Sequence, residues 1–328
     1  MHKLFISDNL RIRRYNMQHV AALIHLNAAR SLNLTGKGVG IAIFDTGIGR
    51  HPDLTLYDSR LLTFVDTVNH RKNYYDDNGH GTHISGIIAG NGYASHGKYE
   101  GIAPNCHFVM IKVLNQKGEG NIEDVLTGIR WLLAHYKEYN IRIVNISVGS
   151  SRGKHFDEAS PLVRGVEALW EEGLVVLTAA GNHGPGPHTI GAPGNSRKII
   201  TVGASDVMQT GNGRDYSGRG PTESCIKKPD IVAPGSNITS CQPIQTFSPG
   251  LYGHAYDTIS MEKLYHSRSG TSMSTPVASG CIALLLQQRP YLSNREVKIL
   301  LKKTAVDLGY DHSRQGWGMI RLDRLLYM

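Results

Sequence analysis

The sequence predicts an α/β fold, a mostly parallel β-sheet with helices on both faces. Short apolar runs rich in β-branched residues alternate with stretches of helical periodicity, which is typical of parallel strands buried between helices. With 328 residues, of which 40% are hydrophobic, the chain can bury such a sheet without disulfide bonds. The predicted strands are residues 39–44, 107–114, 141–148, 174–179 and 198–202.

Three helices are predicted with clear boundaries. Residues 121–136 carry apolar side chains at three- and four-residue spacing behind an asparagine cap. Residues 272–288 are largely apolar, which indicates a buried helix, and Ser293 with Glu296 predicts a capping box for a helix that runs to residue 303. Residues 242–268 lack periodicity and are rich in Tyr, Ser, His and Gly, so we expect an inserted surface loop there.

Composition and charge exclude several classes of function. The 35 basic and 27 acidic residues give a net charge of +8, which would favour acidic substrates, but the basic residues are scattered and lack an interleaved aromatic pattern. We therefore expect no nucleic-acid partner, and no apolar run is long enough to predict a membrane span. The four cysteines are widely spaced and form no Cys-x-x-Cys pair, so we expect reduced thiols in a cytoplasmic protein.

Three short motifs supply an acid, a base and a nucleophile. In chain order they are Asp45-Thr46-Gly47, His80-Gly81-Thr82-His83 and Gly270-Thr271-Ser272. A serine hydroxyl is a weak nucleophile at neutral pH, so it needs an imidazole that takes its proton and a carboxylate that orients the imidazole. Asp45, His80 and Ser272 could fill these roles in a serine hydrolase.

Other interpretations of these motifs fit less well. Asp45-Thr46-Gly47 matches an aspartic-protease signature, but that chemistry needs a second such motif, which the chain does not have. His80 and His83 lack the spacing and the glutamate of the zinc motif His-Glu-x-x-His, so we expect His83 to be a packed structural residue. Ser274 is a rival nucleophile two residues beyond Ser272.

With these motifs the chain resembles the subtilisin-like serine proteases, or subtilases, in which the order is also Asp, His, Ser. Further matches bring the resemblance to roughly residues 27–325, nearly the whole chain. It implies a three-layer subtilisin-like fold and a serine endopeptidase that forms an acyl-enzyme on Ser272, with the side chain of Asn182 as an oxyanion-hole donor. The further matching segments are residues 34–45, Ala179-Ala180-Gly181-Asn182 and Gln315-Gly316-Trp317-Gly318.

The resemblance also implies how a substrate binds. Ser147, Val148 and Gly149 resemble the segment with which subtilases pair an extended substrate backbone, and Gly181 and Gly191 would wall the main side-chain pocket. Because every peptide offers the same main-chain hydrogen bonds, this implies protein or peptide substrates and broad specificity. Two alternatives stay open: a catalytically silent relative that serves as a regulatory or binding module, and a processing peptidase of narrow specificity. The oligomeric state is also open.

No cofactor is expected for the chemistry. Residues 92–99 nearly match a phosphate-binding P-loop, but Tyr99 replaces the Ser or Thr that would hold magnesium. Many subtilases carry an Asn-rich calcium-binding loop in this region, and the chain does not reproduce it. Asp53, Asp76 and Asp77 are possible ligands of a structural calcium ion.

We expect an N-terminal extension at residues 1–26 and a subtilisin-like peptidase domain at residues 27–328. Within the first segment, Val20, Leu23, Ile24 and Ala28 fit one face of a helix. The segment is shorter than the pro-region of many secreted subtilases, which supports a likeness to intracellular bacterial subtilisins. Whether it blocks the cleft until it is removed is an open hypothesis.

Overall fold

The structure, a computed structural model, describes residues 17–56, 59–148, 160–206, 215–244 and 260–328. At its centre, seven parallel strands form one sheet: β1 (Gly40–Asp45), β2 (Leu61–Asp66), β3 (His107–Lys112), β4 (Ile141–Ile146), β5 (Val175–Ala179), β6 (Ile200–Ala204) and β7 (Ile231–Ala233). Their spatial order is β2-β3-β1-β4-β5-β6-β7. The direction of winding therefore reverses between β1 and β4, and in open α/β sheets such a reversal opens a crevice at the carboxyl ends of the two strands.

Helices surround this sheet, and a separate pair of antiparallel strands lies beside them. The strands of the pair are β8 (Ile238–Cys241) and β9 (Tyr265–Arg268). The described α-helices are α1 (Met17–Leu23), α2 (Asn27–Arg30), α3 (His80–Ala89), α4 (Ile122–His135), α5 (Pro161–Glu171), α6 (Met261–Leu264), α7 (Thr271–Gln288), α8 (Asn294–Thr304), α9 (His312–Gln315) and α10 (Leu322–Leu325).

Two neighbouring residues of β1 show that the helices cover both faces of the sheet. A Cβ built at Gly128 of α4 would lie 3.0 Å from the Phe44 ring, and one built at Gly81 of α3 would lie 3.2 Å from Cβ of Asp45. Successive side chains of a strand point to opposite faces, so α4 and α3 lie on opposite sides of the sheet. Helix α7 packs with α3, and α5 packs with α4. The predicted three-layer arrangement is confirmed.

Burial explains why the strands could be recognised from the sequence. Every residue of β1 is buried, as are those of β5 and β6, because helices cover both faces. The five predicted strands all exist, with ends that move by two residues or fewer. The prediction missed β2, whose residues are mostly half-exposed, and β7, which has only three residues. Among the described residues, no helix combines the length and apolarity that a membrane span requires.

The surface loop predicted for residues 242–268 is wrong in its last part. Met261–Leu264 forms α6, and Tyr265–Arg268 forms β9, which pairs with β8. Pairing with a strand distant in sequence overrides the polar composition of this segment. Residues 245–259 of the same prediction lie outside the described residues.

Residues 17–26 pack into the core. Met17, Val20 and Ile24 are buried, and the carbonyl oxygen of Ile24 accepts a hydrogen bond of 2.8 Å from the N–H of Leu322. The helix predicted here is two short helices, separated where His25 adopts a φ of 55°. The described part of the predicted extension is thus built into the fold. Residues 1–16 lie outside the described residues, and the predicted domain boundary stays a prediction.

Candidate active site

Asp45 and His80 form a hydrogen-bonded pair at the carboxyl edge of the sheet. Asp45 ends β1 and is fully buried, and His80 begins α3. Nδ1 of His80 lies 2.7 Å from Oδ1 and 2.9 Å from Oδ2 of Asp45. Since an ionised carboxylate only accepts hydrogen bonds, we assign the proton of the neutral imidazole to Nδ1, which leaves Nε2 as a base. The imidazole is 18% exposed and therefore reachable from the cleft.

The approach of α3 to β1 requires a glycine at position 81. A Cβ there would lie 2.1 Å from the carbonyl oxygen of Gly47, far closer than real Cβ contacts. Thr46 links α3 to the end of β1. Its hydroxyl accepts a 2.9 Å hydrogen bond from the N–H of Gly81 and donates one of 2.9 Å to Asp76. The N–H of Thr46 donates to Oδ1 of Asp45 at 2.7 Å. These contacts hold the carboxylate and the imidazole in place.

Ser272 lines the same cleft as His80. The cleft has a volume of about 630 Å³, and Ser272 is the second residue of α7. Its hydroxyl donates a hydrogen bond of 2.9 Å to the carbonyl oxygen of Ser147. The hydroxyl thus points at the backbone beyond β4, and Nε2 of His80 forms no hydrogen bond with any described residue. The structure brings the three predicted catalytic residues to one cleft, with the hydroxyl not directed at the imidazole.

A proline one helical turn later explains a second contact of Ser272. In an α-helix the carbonyl of residue 272 would accept from the N–H of residue 276, but Pro276 has no N–H. The hydroxyl of Ser147 donates to this carbonyl instead, at 3.1 Å. Ser147 in turn accepts from the Asn145 amide at 2.9 Å, and the Ser279 hydroxyl donates to Asn145 at 2.9 Å. This network fastens β4 to the start of α7.

Asn182 lies beside the start of α7. Its Oδ1 accepts hydrogen bonds from the N–H of Thr271 at 2.9 Å and from the Thr271 hydroxyl at 3.0 Å. Its Nδ2 would lie 3.2 Å from a Cβ at Gly270, where the φ of 156° suits glycine. The acceptor side of the amide is therefore occupied, and Nδ2 is left as the free donor of this side chain. The sequence indicated Asn182 by resemblance but did not indicate Thr271, which orients it.

Ser274 and His83, which lie close in sequence to the predicted catalytic Ser272 and His80, are buried and do not line the cleft. Ser274 is fully buried, with its hydroxyl against the backbone of Gly235, so substrate cannot reach it. His83 is also fully buried, and its Nε2 lies 3.0 Å from the carbonyl oxygens of Ile238 and His266. Burial lowers the pKa of His83 to about 3, which keeps this ring neutral. The expectation that His83 is structural agrees with this position.

The residues predicted to bind substrate divide into three groups. Ser147 and Val148 line the 630 Å³ cleft, together with the apolar side chains of Leu114, Ile122, Val125 and Leu162. Gly149 lies outside the described residues. Gly181, with a φ of 86°, directly precedes Asn182, and Gly191 lies further along the same loop; neither lines this cleft. Their roles stay predictions.

The structure does not bring the three possible calcium ligands together. Asp77 pairs with the buried Nζ of Lys112 at 2.8 Å. Asp76 uses both oxygens as acceptors for protein donors, which are the hydroxyls of Thr46 and Thr82 and the N–H groups of Asn78, Gly79 and Thr82. The hydrogen bonds of Asp76 and the ion pair of Asp77 support the turn before His80.

Asp53 belongs to a different cluster. With His51 and Cys241 it forms the one group of three or more metal-ligating side chains among the described residues, and all three are buried. Yet Asp53 accepts from the Tyr265 hydroxyl at 2.7 Å and from the N–H of Ala94 at 2.9 Å. Burial and the charge of Asp53 raise the pKa of Cys241 well above its usual range. The thiol stays protonated, so we interpret the cluster as a hydrogen-bonded part of the core.

Comparison with known proteins identifies the family. Residues 36–318 match the Subtilase family. The chain belongs to this family. It is 45% identical over 280 residues to serine protease AprX of Bacillus subtilis, a match that covers 82% of this chain and 61% of that protein. It is 33% identical over 282 residues to subtilisin Savinase of Lederbergia lenta, covering 86% and 88%. This subtilase thus spans less than two thirds of AprX.

Solved structures agree with the subtilisin-like fold. A cold-adapted subtilisin-like serine proteinase superposes with a TM-score of 0.67 at 26% identity, covering 88% of this chain and 90% of the other. The Clostridium perfringens CspB protease superposes with a TM-score of 0.76 at 19% identity, covering 91% and 96%. The second likeness shows the fold alone.

Proposed function

We propose that this subtilase is a serine endopeptidase that acts through an acyl-enzyme on Ser272. The observation that carries the proposal is the Asp45–His80 hydrogen bond of 2.7 Å in a cleft that Ser272 also lines. His80 takes the proton of the Ser272 hydroxyl as general base and later gives it to the leaving amine, while Asp45 stabilises the imidazolium. In the second half of the reaction His80 takes a proton from water, which attacks the acyl carbon, and then returns the proton to the Ser272 oxygen as the acyl group leaves.

Catalysis requires the Ser272 hydroxyl to turn from Ser147 towards His80. Such a turn needs only rotation about the single bonds of the Ser272 side chain. It gives up one neutral hydrogen bond, which costs about 1 kcal/mol. That cost is small beside the reduction of roughly 8 kcal/mol or more by which enzymes lower their barriers. The observed orientation is therefore compatible with an active enzyme.

Asn182 supplies an oxyanion-hole donor in this mechanism. Thr271 occupies its Oδ1, so Nδ2 is the part of the amide that can face the negative oxygen of the tetrahedral intermediate. The N–H of Ser272 lies in the first turn of α7, where backbone donors lack partners within the helix and the helix dipole favours negative charge. These two donors would stabilise the oxyanion.

The substrate is a peptide in extended conformation. Its backbone pairs with Ser147, Val148 and Gly149, and its apolar side chains contact the wall of the cleft formed by Leu114 and Ile122. Main-chain pairing supports broad specificity. Gly181 and Gly191 would border the pocket for the residue before the cleaved bond.

Two neighbouring serines make a matched test. Ser272→Ala should abolish casein hydrolysis and labelling by a fluorophosphonate probe. Ser274→Ala, on the same helix, should retain both, because its hydroxyl is buried and forms no hydrogen bond. Undiminished turnover in Ser272→Ala would refute the proposal.

The orientation of the Ser272 hydroxyl also favours a second candidate, a catalytically silent relative with a binding or regulatory role. A library of random peptides separates the candidates, because a broad endopeptidase cleaves many sequences, a processing peptidase cleaves one motif and a silent relative cleaves none. Absence of both cleavage and fluorophosphonate labelling in the folded chain would favour the silent relative.

The protein further belongs, in this proposal, to a reducing compartment such as the cytoplasm. All four cysteines are free, and Cys106, Cys241 and Cys281 are buried. Rapid alkylation of thiols in intact cells tests this. Four alkylated cysteines after denaturation are expected, and any disulfide in the freshly trapped chain would contradict it.

A further inference from the structure

An arginine side chain lies in the same cleft as the proposed catalytic His80, and some of its N–H donors have no partner among the described residues. Arg268, the last residue of β9, lines the cleft together with His80 and Ser272. Its Nη2 donates one long hydrogen bond, 3.4 Å, to the carbonyl oxygen of Asn78, and lies 3.4 Å from the position of a Cβ at Gly79. The guanidinium therefore packs against the two residues that lead into His80.

The charge of Arg268 is not neutralised within the part of the chain that the structure describes. No described carboxylate lies within 4.0 Å of its guanidinium, and Nε is buried without a hydrogen-bond partner. A guanidinium has five donors, and a buried donor without a partner costs roughly 1–3 kcal/mol. The other charged residues that line the cleft, Lys117 and Glu119, lie on the turn before α4 and cancel each other. Among the residues that the structure describes, the cleft thus holds a cation with no acidic partner, which suits a carboxylate.

The position of Arg268 selects one side of the scissile bond. In the proposed mechanism the acyl half of the substrate stays along Ser147 and Val148, and the leaving amine departs past His80. Arg268 contacts Asn78 and Gly79 on the His80 side of the cleft, where the leaving half must pass. An acidic side chain there can accept two parallel hydrogen bonds from the guanidinium.

We propose that Arg268 binds an acidic side chain on the leaving-group side, so that this subtilase prefers Asp or Glu at the first or second residue after the cleaved bond. The inference rests on the proposed peptidase function and specifies its substrate class. The net charge of +8 acts in the same direction, because it draws acidic peptides towards the protein.

The experiment measures kcat/KM for quenched fluorescent peptides that differ only at these two positions, carrying Ala, Asp or Lys. For the unaltered enzyme we expect Asp to exceed Ala by about tenfold, which corresponds to roughly 1.4 kcal/mol, and Lys to be cleaved most slowly. Arg268→Gln should remove the preference for Asp, and Arg268→Glu should reverse it in favour of Lys. Added salt should weaken the preference, since ions screen partly exposed charges.

Two controls separate the failure of this inference from the failure of the peptidase proposal. Lys117→Gln removes a cation on another wall of the cleft and should leave the Asp preference intact. Fluorophosphonate labelling measures the reactivity of Ser272, and the probe has no residue on the leaving-group side that could contact Arg268. The labelling should therefore be unchanged in Arg268→Gln. Equal Asp-to-Ala ratios in the unaltered enzyme and Arg268→Gln, with labelling intact, would overturn the role of Arg268 alone. Lack of labelling and cleavage in the unaltered enzyme would overturn the peptidase proposal as well.

Discussion

Ser147 and Ser272 exchange hydrogen bonds in both directions. The Ser272 hydroxyl donates to the carbonyl oxygen of Ser147 at 2.9 Å, and the Ser147 hydroxyl donates to the carbonyl oxygen of Ser272 at 3.1 Å. Because Pro276 cannot supply the usual helical donor, the second bond is what satisfies the Ser272 carbonyl. The proposed nucleophile is therefore positioned by a strand end as well as by its own helix.

This pairing predicts a coupling between Ser147 and Pro276. Ser147→Ala leaves the Ser272 carbonyl and the Asn145 amide without a partner, so unfolding free energy should fall by about 2 kcal/mol in urea denaturation. In a Pro276→Ala background, residue 276 regains an N–H for that carbonyl, so Ser147→Ala should cost less. If Ser147→Ala lowers the unfolding free energy equally in both backgrounds, the Ser147 hydroxyl does not replace the helical hydrogen bond that Pro276 cannot donate to the Ser272 carbonyl.

Asp45→Asn should lower kcat by about 10⁴-fold, the order found when the triad aspartate of another serine protease becomes asparagine. The side-chain amide of Asn can donate a hydrogen bond to Nδ1 of His80, which the carboxylate cannot do. The proton of the neutral imidazole then lies on Nε2, and that nitrogen can no longer act as the base. Steady-state kinetics on a peptide substrate measures the effect. Circular dichroism should show an intact fold, and a loss of less than tenfold would contradict the assigned role of Asp45.

Asn182→Ala should lower kcat by about 10²–10³-fold with little change in KM, the range known for an oxyanion-hole asparagine in a subtilisin. Asn182→Asp distinguishes the two ends of the amide, because it keeps an acceptor for Thr271 and loses the donor. We expect the Asp variant to be at least as impaired as the Ala variant. An active Asp variant would show that contact with Thr271, and not the donor, is what matters.

His83 should make stability fall as the solution becomes acidic. Its folded pKa is lowered by burial from 6.5 to about 3, so between these values the unfolded chain binds a proton that the folded chain does not. Stability from this group is complete above pH 6.5 and falls by about 1.4 kcal/mol per pH unit below it. His83→Gln should be less stable than the unaltered protein at pH 7, and the gap should narrow towards pH 5.5 in urea denaturation. A constant gap would contradict the lowered pKa.

Calcium removal should not destabilise the protein through Asp76 or Asp77. Both oxygens of Asp76 and Oδ1 of Asp77 already accept from protein donors, so a calcium ion held by these atoms would have to displace those bonds. A ligand that binds the folded state raises the melting temperature, and therefore thermal unfolding with millimolar calcium or with excess chelator is a direct measurement. Any calcium-dependent shift of the melting temperature should be the same in the unaltered protein and in Asp77→Asn. A calcium-dependent rise that Asp77→Asn abolishes would restore the calcium site.

The sequence predicts an element correctly where the pattern within that element alone is enough to recognise it. The covered strands β1, β5 and β6 appear as apolar runs because both of their faces are buried, and Ser293 with Glu296 forms the predicted capping box. The segment Met261–Arg268 was not recognisable, because its strand exists only through pairing with β8. Arg268 was missed for the same reason, although it stands four residues before Ser272.

By itself the sequence determined the layered α/β class, the family and the types of residue available for chemistry, since periodicity, motif order and composition are local properties of the chain. Only the tertiary structure decided that Asp45 and His80 are bonded, that Ser274 is sealed off while Ser272 is open, and that Ser272 faces Ser147. It also decided that Asp53 is hydrogen bonded in a buried cluster, apart from Asp76 and Asp77 at the turn before His80. These outcomes depend on which segments, far apart in sequence, come into contact in the folded chain, because those contacts set the burial and the hydrogen bonds of each side chain.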